Sequence, residues 1–239
     1  MAINEEMAML NQSAALTHPK ALFARALCPA VPDDQFATVM GLASMVATSF
    51  RYQKEEEIFG EDEPAEYVYQ VVQGAVRTYK LLSDGRRQIG SFHLPGDVFG
   101  LEYGPKHRAT AEALCATEVR LIQRRALETV AKGDVQVSRL LWNVTASELR
   151  HAEDHMLLLG CKTAMERVAA FLLEMDRRLA AAKMVALPMC RRDIGDYLGL
   201  TLETVSRALS QLHEQGVLDF SGARQIVIKN RQRLRDISE

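Results

Sequence analysis

The chain has 239 residues, of which 48% are hydrophobic and 25% are charged. These values are typical of globular proteins and exclude a disordered, collagen-like or low-complexity chain, and the length suits two domains. The net charge of -2 is unevenly distributed, because residues 1–159 carry 16 Lys and Arg against 21 Asp and Glu, whereas residues 160–239 carry 13 against 10. The basic C-terminal third is therefore where we expect a polyanion to bind.

The N-terminal region predicts neither a membrane anchor nor a secretion signal. Glu5 and Glu6 precede the first Lys or Arg, unlike a signal peptide, and no apolar run approaches the roughly 18 to 20 residues of a membrane span. We predict a cytoplasmic protein with no membrane partner. Residues 1–20 are predicted to be a flexible tail, and Pro32 to Val46 has the apolar spacing of short helices that cover the next domain.

A strand-like pattern runs from Phe50 to about Ile122. Short alternating runs at Tyr67–Val72, Ala75–Leu81 and Gln88–Leu94 are separated by turn residues every eight to twelve positions. This pattern predicts a small antiparallel sandwich or barrel within residues 21–133.

One long helix is predicted over residues 134–159, because Asp134 can cap it and no Gly or Pro follows before Gly160. Its apolar residues form two stripes, and a helix about 37 Å long exceeds what the barrel could cover. Periodicity alone fits burial in a monomer about as well as a dimer seam. We favour one stripe, with Leu140, Leu141 and Val144, on the barrel and the other on a twin helix. The predicted dimerisation residues are Val135, Trp142, Leu149, Ala152, Met156 and Leu159.

Residues 160–239 contain a helix-turn-helix pattern followed by a hairpin. A helix over Met189–Leu198, the turn Gly199–Thr201 and a helix over Leu202–Gln215 are predicted, with Thr201 as the second N-cap. The hairpin from Val217 to Ile228 is the wing of a winged helix.

The second helix leaves one polar face outside its apolar core. Glu203, Ser206 and Arg207 lie on that face near the N-terminal end, where recognition helices enter the major groove. A carboxylate, a hydroxyl and an arginine fork can all read base edges, so we predict these as base-reading residues. The alternative is a surface pair between Glu203 and Arg207 worth only about 0.3 to 0.5 kcal/mol. The predicted DNA-backbone contacts are Arg191, Arg192, Thr201, Thr204, Ser210 and Arg224.

The sequence resembles the CRP/FNR superfamily of bacterial transcription regulators from Leu22 to Ile228. Pro95–Gly100, the long helix and the stretch Arg192–Arg207 carry the resemblance. It implies an α+β chain with an N-terminal antiparallel β-roll like those of cyclic-nucleotide-binding domains, a dimerisation helix and a C-terminal winged helix-turn-helix domain. The E-x-x-S-R pattern is similar to the FNR and FixK side. With Leu202 where the CRP side has arginine, the resemblance favours a TTGAT-type operator with an inverted ATCAA half-site over TGTGA.

The β-roll departs from the relatives that bind ligands. CRP-like proteins hold a cyclic phosphate with Glu and an adjacent Arg-Ser or Arg-Thr, whereas here Leu101 follows Gly100 and only Arg108 and Thr110 remain. An FNR-type iron-sulfur cluster is not expected, because Cys115 would have only Cys28 as a partner upstream. The candidates for haem ligation are His93, His107, His151 and His155, and the last two are expected on an exposed helix face, where such residues are usually solvated or at an interface. We predict no cofactor and no metal.

The resemblance and the residues together predict a homodimeric, sequence-specific transcription activator of the FixK type. Its implied targets are genes of low-oxygen respiration or nitrogen fixation, and its partners are double-stranded DNA and RNA polymerase. The turn Ser83, Asp84, Gly85 and Arg86 resembles in position a polymerase-contacting surface, although a merely solvated hairpin fits equally well.

Two further hypotheses stay open. Cys190 is either a small buried residue or a redox-sensitive thiol, since Arg191, Arg192 and a helix N-terminus could favour its thiolate. The rival to a ligand-free activator is a small-molecule or haem-dependent sensor that needs its ligand to bind DNA. An enzyme is not predicted, because no nucleophile, paired-carboxylate or phosphate-loop constellation is found.

Overall fold

The computed structural model describes residues 48–179, 184–222 and 224–239. The predicted tail over residues 1–20 and the predicted helices over Pro32 to Val46 lie outside the described residues. The strands are β1 (Thr48–Tyr52), β2 (Glu57–Phe59), β3 (Tyr67–Gln73), β4 (Val76–Leu81), β5 (Arg87–His93), β6 (Val98–Phe99), β7 (Thr110–Ala113), β8 (Thr117–Gln123), β9 (Met184–Ala186), β10 (Leu218–Gly222) and β11 (Gln225–Ile228). The helices are α1 (Arg124–Gly133), α2 (Val135–Cys161), α3 (Ala164–Leu179), α4 (Arg191–Leu198), α5 (Leu202–Glu214) and α6 (Arg231–Ser238).

Strands β1 to β8 form the predicted antiparallel β-roll. One sheet has the order β1-β8-β3-β6 and the other β2-β7-β4-β5. Alternating residues such as Val71, Val76 and Val119 are buried between the sheets, since successive side chains of a strand point to opposite faces. The three strands predicted from alternation are confirmed to within one or two residues.

Helix α2 begins where the sequence predicts. The Asp134 carboxylate accepts hydrogen bonds from the backbone N–H groups of Gln136 at 2.7 Å and Val137 at 3.3 Å, as an N-cap should. The helix passes through Gly160 and ends at Cys161, so the predicted end at residue 159 is two residues early. A single glycine in a last turn weakens a helix without ending it.

The two apolar stripes of α2 have different environments. Val137, Leu140, Leu141 and Val144 pack against the β-roll, where Ile122 is buried, which confirms the predicted inner stripe. Of the predicted dimerisation residues, Val135, Trp142, Leu149, Ala152 and Met156 are exposed, whereas Leu159 is half-buried.

The C-terminal helices and the sheet β10-β11-β9 form one core with part of the β-roll. Phe92 of β5 contacts Phe171 of α3 and Tyr197 of α4, with ring centroids 6.2 and 5.2 Å apart. Apolar packing therefore continues from the β-roll into the helix-turn-helix unit. Within the described residues, no helix is long and apolar enough to cross a membrane.

Candidate nucleic-acid interface

Helices α4 and α5 are joined by a tight turn that glycine makes possible. Gly199 ends α4 with a φ of 63°, a conformation that favours glycine. A Cβ on Gly195 would lie 2.6 Å from the Leu200 carbonyl oxygen, so a side chain there would push the turn away from α4. Thr201 caps α5 as predicted, because its Oγ1 accepts the Thr204 N–H at 3.1 Å.

Helix α5 buries one face and presents the other. Val205, Leu209 and Leu212 are buried, whereas Glu203 and Arg207 are exposed. In the part of the chain that the structure describes, Glu203 and Arg207 form no ion pair, so the alternative surface pair is not observed. Both charged side chains are left available to a partner.

Ser206 lies between these two residues and has a partner within the chain. Arg191 of α4 donates from Nη1 to Ser206 Oγ at 3.3 Å, and its guanidinium lies 5.6 Å from the centroid of the Phe220 ring in the wing. One arginine thus connects α4, the recognition face and the wing. Sequence reasoning missed this contact, because the three residues are distant in the chain.

The remaining predicted backbone contacts surround this face. Arg192, Thr201 and Ser210 are exposed, and Thr204 is half-buried beside its cap. Arg224 lies in the hairpin turn, where its Nη1 donates to the Pro188 carbonyl at 3.2 Å and its own carbonyl accepts from the Leu187 N–H at 2.8 Å. Strand β9, which was not predicted, extends the wing into a three-stranded sheet.

Cys190 is the N-cap residue of α4 and is half-buried. The Asp193 carboxylate accepts its backbone N–H at 3.0 Å, so an anion lies close to the residue. Arg191 turns toward Ser206 and Phe220, as described above. The expected pair of flanking cations is therefore incomplete, although Arg192 and the helix N-terminus remain.

Asp193 also contacts the β-roll, which the sequence did not reveal. Arg77 and Arg87 donate to its Oδ1, each at 2.7 Å. Burial raises the pKa of Asp193, but the hydrogen bonds from Cys190 and the two arginine charges outweigh it, so this pKa lies below the ordinary value.

Aromatic rings fill much of the β-roll interior. Phe59 stacks on His107 at 3.6 Å and Phe99 on His93 at 4.8 Å between centroids. The cavity that remains has a volume of 220 Å³, below the ~300 to 1,000 Å³ of usual ligand sites. Its lining includes Glu102 and Glu148 and no Lys or Arg among the described residues, so it does not fit a cyclic nucleotide phosphate.

The histidines considered as haem ligands contact other side chains and backbone groups within the fold. Burial lowers the pKa of His93 to about 3, so it is neutral at pH 7. His155 stacks on Tyr197 at 4.2 Å and donates from Nε2 to the Tyr197 carbonyl at 2.8 Å, and His151 Nε2 lies 3.4 Å from Ser91 Oγ. Of the two roles expected for His151 and His155, solvated or at an interface, the structure shows the interface role, because both are half-buried where α2 meets α4 and β5. Among the described residues, no group of three or more His, Cys, Asp or Glu side chains could hold a metal.

The hairpin tip between β4 and β5 is exposed beside the helix-turn-helix. Asp84 accepts from the Arg86 backbone N–H at 3.0 Å and from Arg86 Nε at 2.7 Å, and Gly85 has a φ of 82°. A cleft of 960 Å³ separates the tip from the start of α5 and includes Leu202 and Glu203.

Comparison with known proteins decides the family. A model of the cyclic nucleotide-binding domain matches residues 49–134, and a model of the Crp-like helix-turn-helix domain matches residues 166–237. The nitrogen fixation regulation protein FixK of Azorhizobium caulinodans is 42% identical over 210 residues, covering 86% of this chain and 85% of that protein. The chain belongs to the CRP/FNR family of transcription regulators.

Other members of the CRP/FNR family agree with this assignment. The transcriptional activatory protein AadR of Rhodopseudomonas palustris is 41% identical over 177 residues, which are 72% of this chain and 74% of that protein. The structure of FixK2 from Bradyrhizobium japonicum has a TM-score of 0.80 and 76% identity, covering 82% of this chain and 98% of that one. The predicted fold class, the FixK-like resemblance and the prediction that the protein is not an enzyme are confirmed.

Proposed function

We propose that this CRP/FNR protein is a homodimeric activator that binds a palindromic operator with TTGAT and inverted ATCAA half-sites, without needing a cyclic nucleotide or an iron-sulfur cluster. The observation that carries the proposal is the exposed face of α5, on which Glu203 and Arg207 are free of each other. A carboxylate and a guanidinium that do not pair with each other on a capped recognition helix are both free to contact base edges in the major groove.

Each residue of the recognition face has a proposed role. The Arg207 guanidinium donates two hydrogen bonds, to guanine O6 and N7, and the Glu203 carboxylate accepts one from cytosine N4. Ser206 contacts a base, and Arg191 orients the Ser206 hydroxyl. Arg192, Thr201, Thr204, Ser210 and Arg224 contact phosphates, which fixes the register of the protein on DNA without reading sequence. Arg191 contacts the DNA backbone only if DNA displaces its side chain from Ser206.

Two subunits are required because a palindrome has two half-sites. We propose that Val135, Trp142, Leu149, Ala152, Met156 and Leu159 form the seam between two α2 helices. Support comes from the uncovered apolar stripe, since four large side chains spaced by seven residues are each more than half exposed in the single chain. A two-fold axis through this seam would place both recognition helices on one DNA face.

Ligand independence rests on the interior of the β-roll. Its small cavity is lined by carboxylates, which would repel a phosphate, and its remaining space is taken by stacked rings. The three cysteines of the described residues lie on different parts of the fold, Cys115 between β7 and β8, Cys161 at the end of α2 and Cys190 at the start of α4. They form no clustered set of thiolates that could hold an iron-sulfur cluster.

The proposed targets and partners follow the relatives. A regulator similar to FixK would act on cytoplasmic DNA at genes of low-oxygen respiration or nitrogen fixation. The exposed turn Ser83, Asp84, Gly85 and Arg86 is the proposed contact with RNA polymerase, since it projects beside the recognition helix and would lie close to operator DNA.

The test compares two exposed arginines. Arg207→Ala should cost about 1 to 3 kcal/mol on the cognate operator and flatten discrimination at one base pair. Arg192→Ala, the matched control, should weaken cognate and random DNA equally and reduce the salt dependence. Equal losses of Arg207→Ala on cognate and random DNA would reject the base-reading assignment.

A ligand-requiring sensor is the second candidate. It is favoured by a cleft of 1040 Å³ where β5, α2 and α3 meet, which is lined by His151, His155 and charged residues of both signs. Tight operator binding by ligand-stripped protein rules out this candidate, whereas binding that appears only with a cell-extract ligand supports it.

A further inference from the structure

Helix α4 is the first helix of the DNA-binding motif, yet many of its polar contacts are with other parts of the chain. Asp193 is 3% exposed and Arg77 of β4 is 8% exposed, and their side chains meet 116 positions apart in sequence. Two buried ionised groups are tolerated in a protein only when they are paired. Arg77 also donates to Glu112 of β7 and so keeps a partner within the β-roll, whereas Asp193 would lose both of its arginine partners if α4 were not docked.

A second arginine of the β-roll strengthens the contact. Arg87 of β5 donates from Nη2 to Asp193 Oδ1 at 2.7 Å and from Nε to Asp196 Oδ2 at 2.9 Å. Beside it, Gln88 Nε2 donates to the Tyr197 carbonyl at 3.3 Å. Contacts at Asp193, Asp196 and Tyr197 thus fix both the position of α4 and its rotation against β4 and β5.

The C-terminal end of α4 is held by two further elements. His155 of α2 donates to the Tyr197 carbonyl, and Arg167 of α3 donates to the Leu198 carbonyl at 2.9 Å. Arg167 also donates to the Leu159 carbonyl at 2.8 Å and the Lys162 carbonyl at 2.9 Å, where α2 ends. One guanidinium therefore joins the end of α2 to the end of α4.

The docked orientation leaves the recognition face open. The contacts to the β-roll use Asp193, Asp196 and Tyr197, whereas Glu203 and Arg207 on α5 remain exposed. Docking consequently does not compete with DNA for the same side chains.

We propose that Arg77 and Arg87 of the β-roll form an ionic latch with Asp193 and Asp196, and that this latch holds the helix-turn-helix in its DNA-binding orientation without a ligand. Arg77 and Arg87 are positioning residues, because they touch α4 rather than DNA. The proposal rests on the proposed function in that operator affinity is its readout, and it adds the means by which binding is made independent of a ligand.

The test uses Arg87→Gln and Asp193→Asn in the full chain, with Arg51→Gln as the control. Arg51 is exposed on β1 and pairs with Glu118 of β8, so its ion pair lies within the β-roll and does not involve α4. Asparagine at 193 retains an oxygen to accept the Cys190 N–H, so the cap is kept while the charge is removed. If the docked population falls to about a tenth, operator Kd rises about tenfold, because apparent affinity scales with the competent fraction.

Amide hydrogen exchange supplies a readout that general destabilisation would not give. In Arg87→Gln and Asp193→Asn, exchange should accelerate at β5 and α4 while the core of α5 stays protected, and added operator should restore protection at β5. The double variant should lose less affinity than the sum of the two single losses, because both substitutions remove the Arg87–Asp193 contact and only the Arg87–Asp196 contact is lost separately. Arg87→Lys should recover part of the binding.

The outcomes separate the latch from the proposed function. Wild-type protein that fails to bind any palindrome refutes the proposed function, while the exchange measurement still decides the latch without DNA. Unchanged operator affinity and unchanged exchange in Asp193→Asn overturn the latch. Tighter operator binding by the variants also overturns it, because the docked state would then be inhibitory.

Discussion

Replacing Leu149 with glutamate is the perturbation that most directly probes the proposed dimer. In the single chain, Val135, Trp142, Leu149 and Met156 are 68, 73, 61 and 66% exposed. Full burial of such a side chain contributes about 1.5 to 3 kcal/mol, so covering the exposed two-thirds contributes about 1 to 2 kcal/mol each and about 4 to 8 kcal/mol per subunit. A seam of this strength suits a stable dimer.

Leu149→Glu removes the central member of that stripe and places a carboxylate against its symmetry mate. Loss of the leucine burial and desolvation of two like charges together cost about 5 kcal/mol, which raises the dimer Kd by more than three orders of magnitude. Loss of the dimer should also weaken operator binding, since both half-sites must be bound at the same time.

Sedimentation-velocity ultracentrifugation at micromolar concentration provides the assay, with circular dichroism to verify the fold. Asn143→Glu is the matched control, because Asn143 is exposed on α2 but lies outside the stripe. Leu149→Glu should sediment as a folded monomer and Asn143→Glu as a dimer. A folded, dimeric Leu149→Glu protein would refute the reasoning and place the contact elsewhere on the chain.

Three other predictions concern single residues. Peroxide should abolish operator binding in the wild-type protein but not in Cys190→Ser, because a sulfinate or sulfonate at the start of α4 would repel the DNA phosphates. Fluorescence anisotropy measures the binding, and an equal loss in both proteins would show that Cys190 is structural. His93 has a pKa of about 3 in the folded protein against an ordinary value of 6.5, so the unfolded chain binds its proton more tightly. Chemical denaturation should therefore show the free energy of unfolding falling by up to about 1.4 kcal/mol per pH unit as the pH drops from 6.5 toward 3. A His93→Gln protein whose free energy of unfolding has the same pH dependence would contradict this. Gly195→Ala should lower the free energy of unfolding by about 1 to 3 kcal/mol because its Cβ would meet the Leu200 carbonyl, whereas Gly160→Ala, which meets nothing within 4 Å, should not destabilise; similar melting temperatures would exclude the predicted clash.

Periodicity predicted the elements whose burial repeats regularly. The apolar and aromatic residues of Tyr67–Gln73 predicted a strand, and β3 buries Val68 on one face and Val71 on the other. The inner stripe of α2 was predictable because Leu140, Leu141 and Val144 recur at helical spacing and pack on the β-roll. The recognition helix was predictable for the same reason, since Val205, Leu209 and Leu212 mark its inner face and Thr201 its beginning.

Elements with weaker internal patterns were missed. Helix α1 (Arg124–Gly133) buries only Leu127, and α6 (Arg231–Ser238) buries only Leu234, so neither has a repeating stripe to detect. Strand β9 has three residues and forms because β11 supplies its hydrogen bonds.

Long-range polar contacts were beyond any sequence pattern. Arg77 and Asp193 are 116 positions apart, and neither has a local feature that distinguishes it from a solvated charge. The same holds for Arg191 with Ser206 and for His155 with Tyr197. Such pairs are set by how packed elements meet, which the spacing of residues along one element does not encode.

The central claim is that the ligand-free protein reads a palindrome through α5. The measurement is the affinity of ligand-stripped, full-length protein for a TTGAT and ATCAA palindrome and for the same duplex with scrambled half-sites, at one fixed salt concentration with and without cyclic AMP. We predict binding to the palindrome that is at least about 10³-fold tighter than to the scrambled duplex and unchanged by the nucleotide. Equal affinity for the two duplexes, or tight binding only after a ligand is added, would contradict the account.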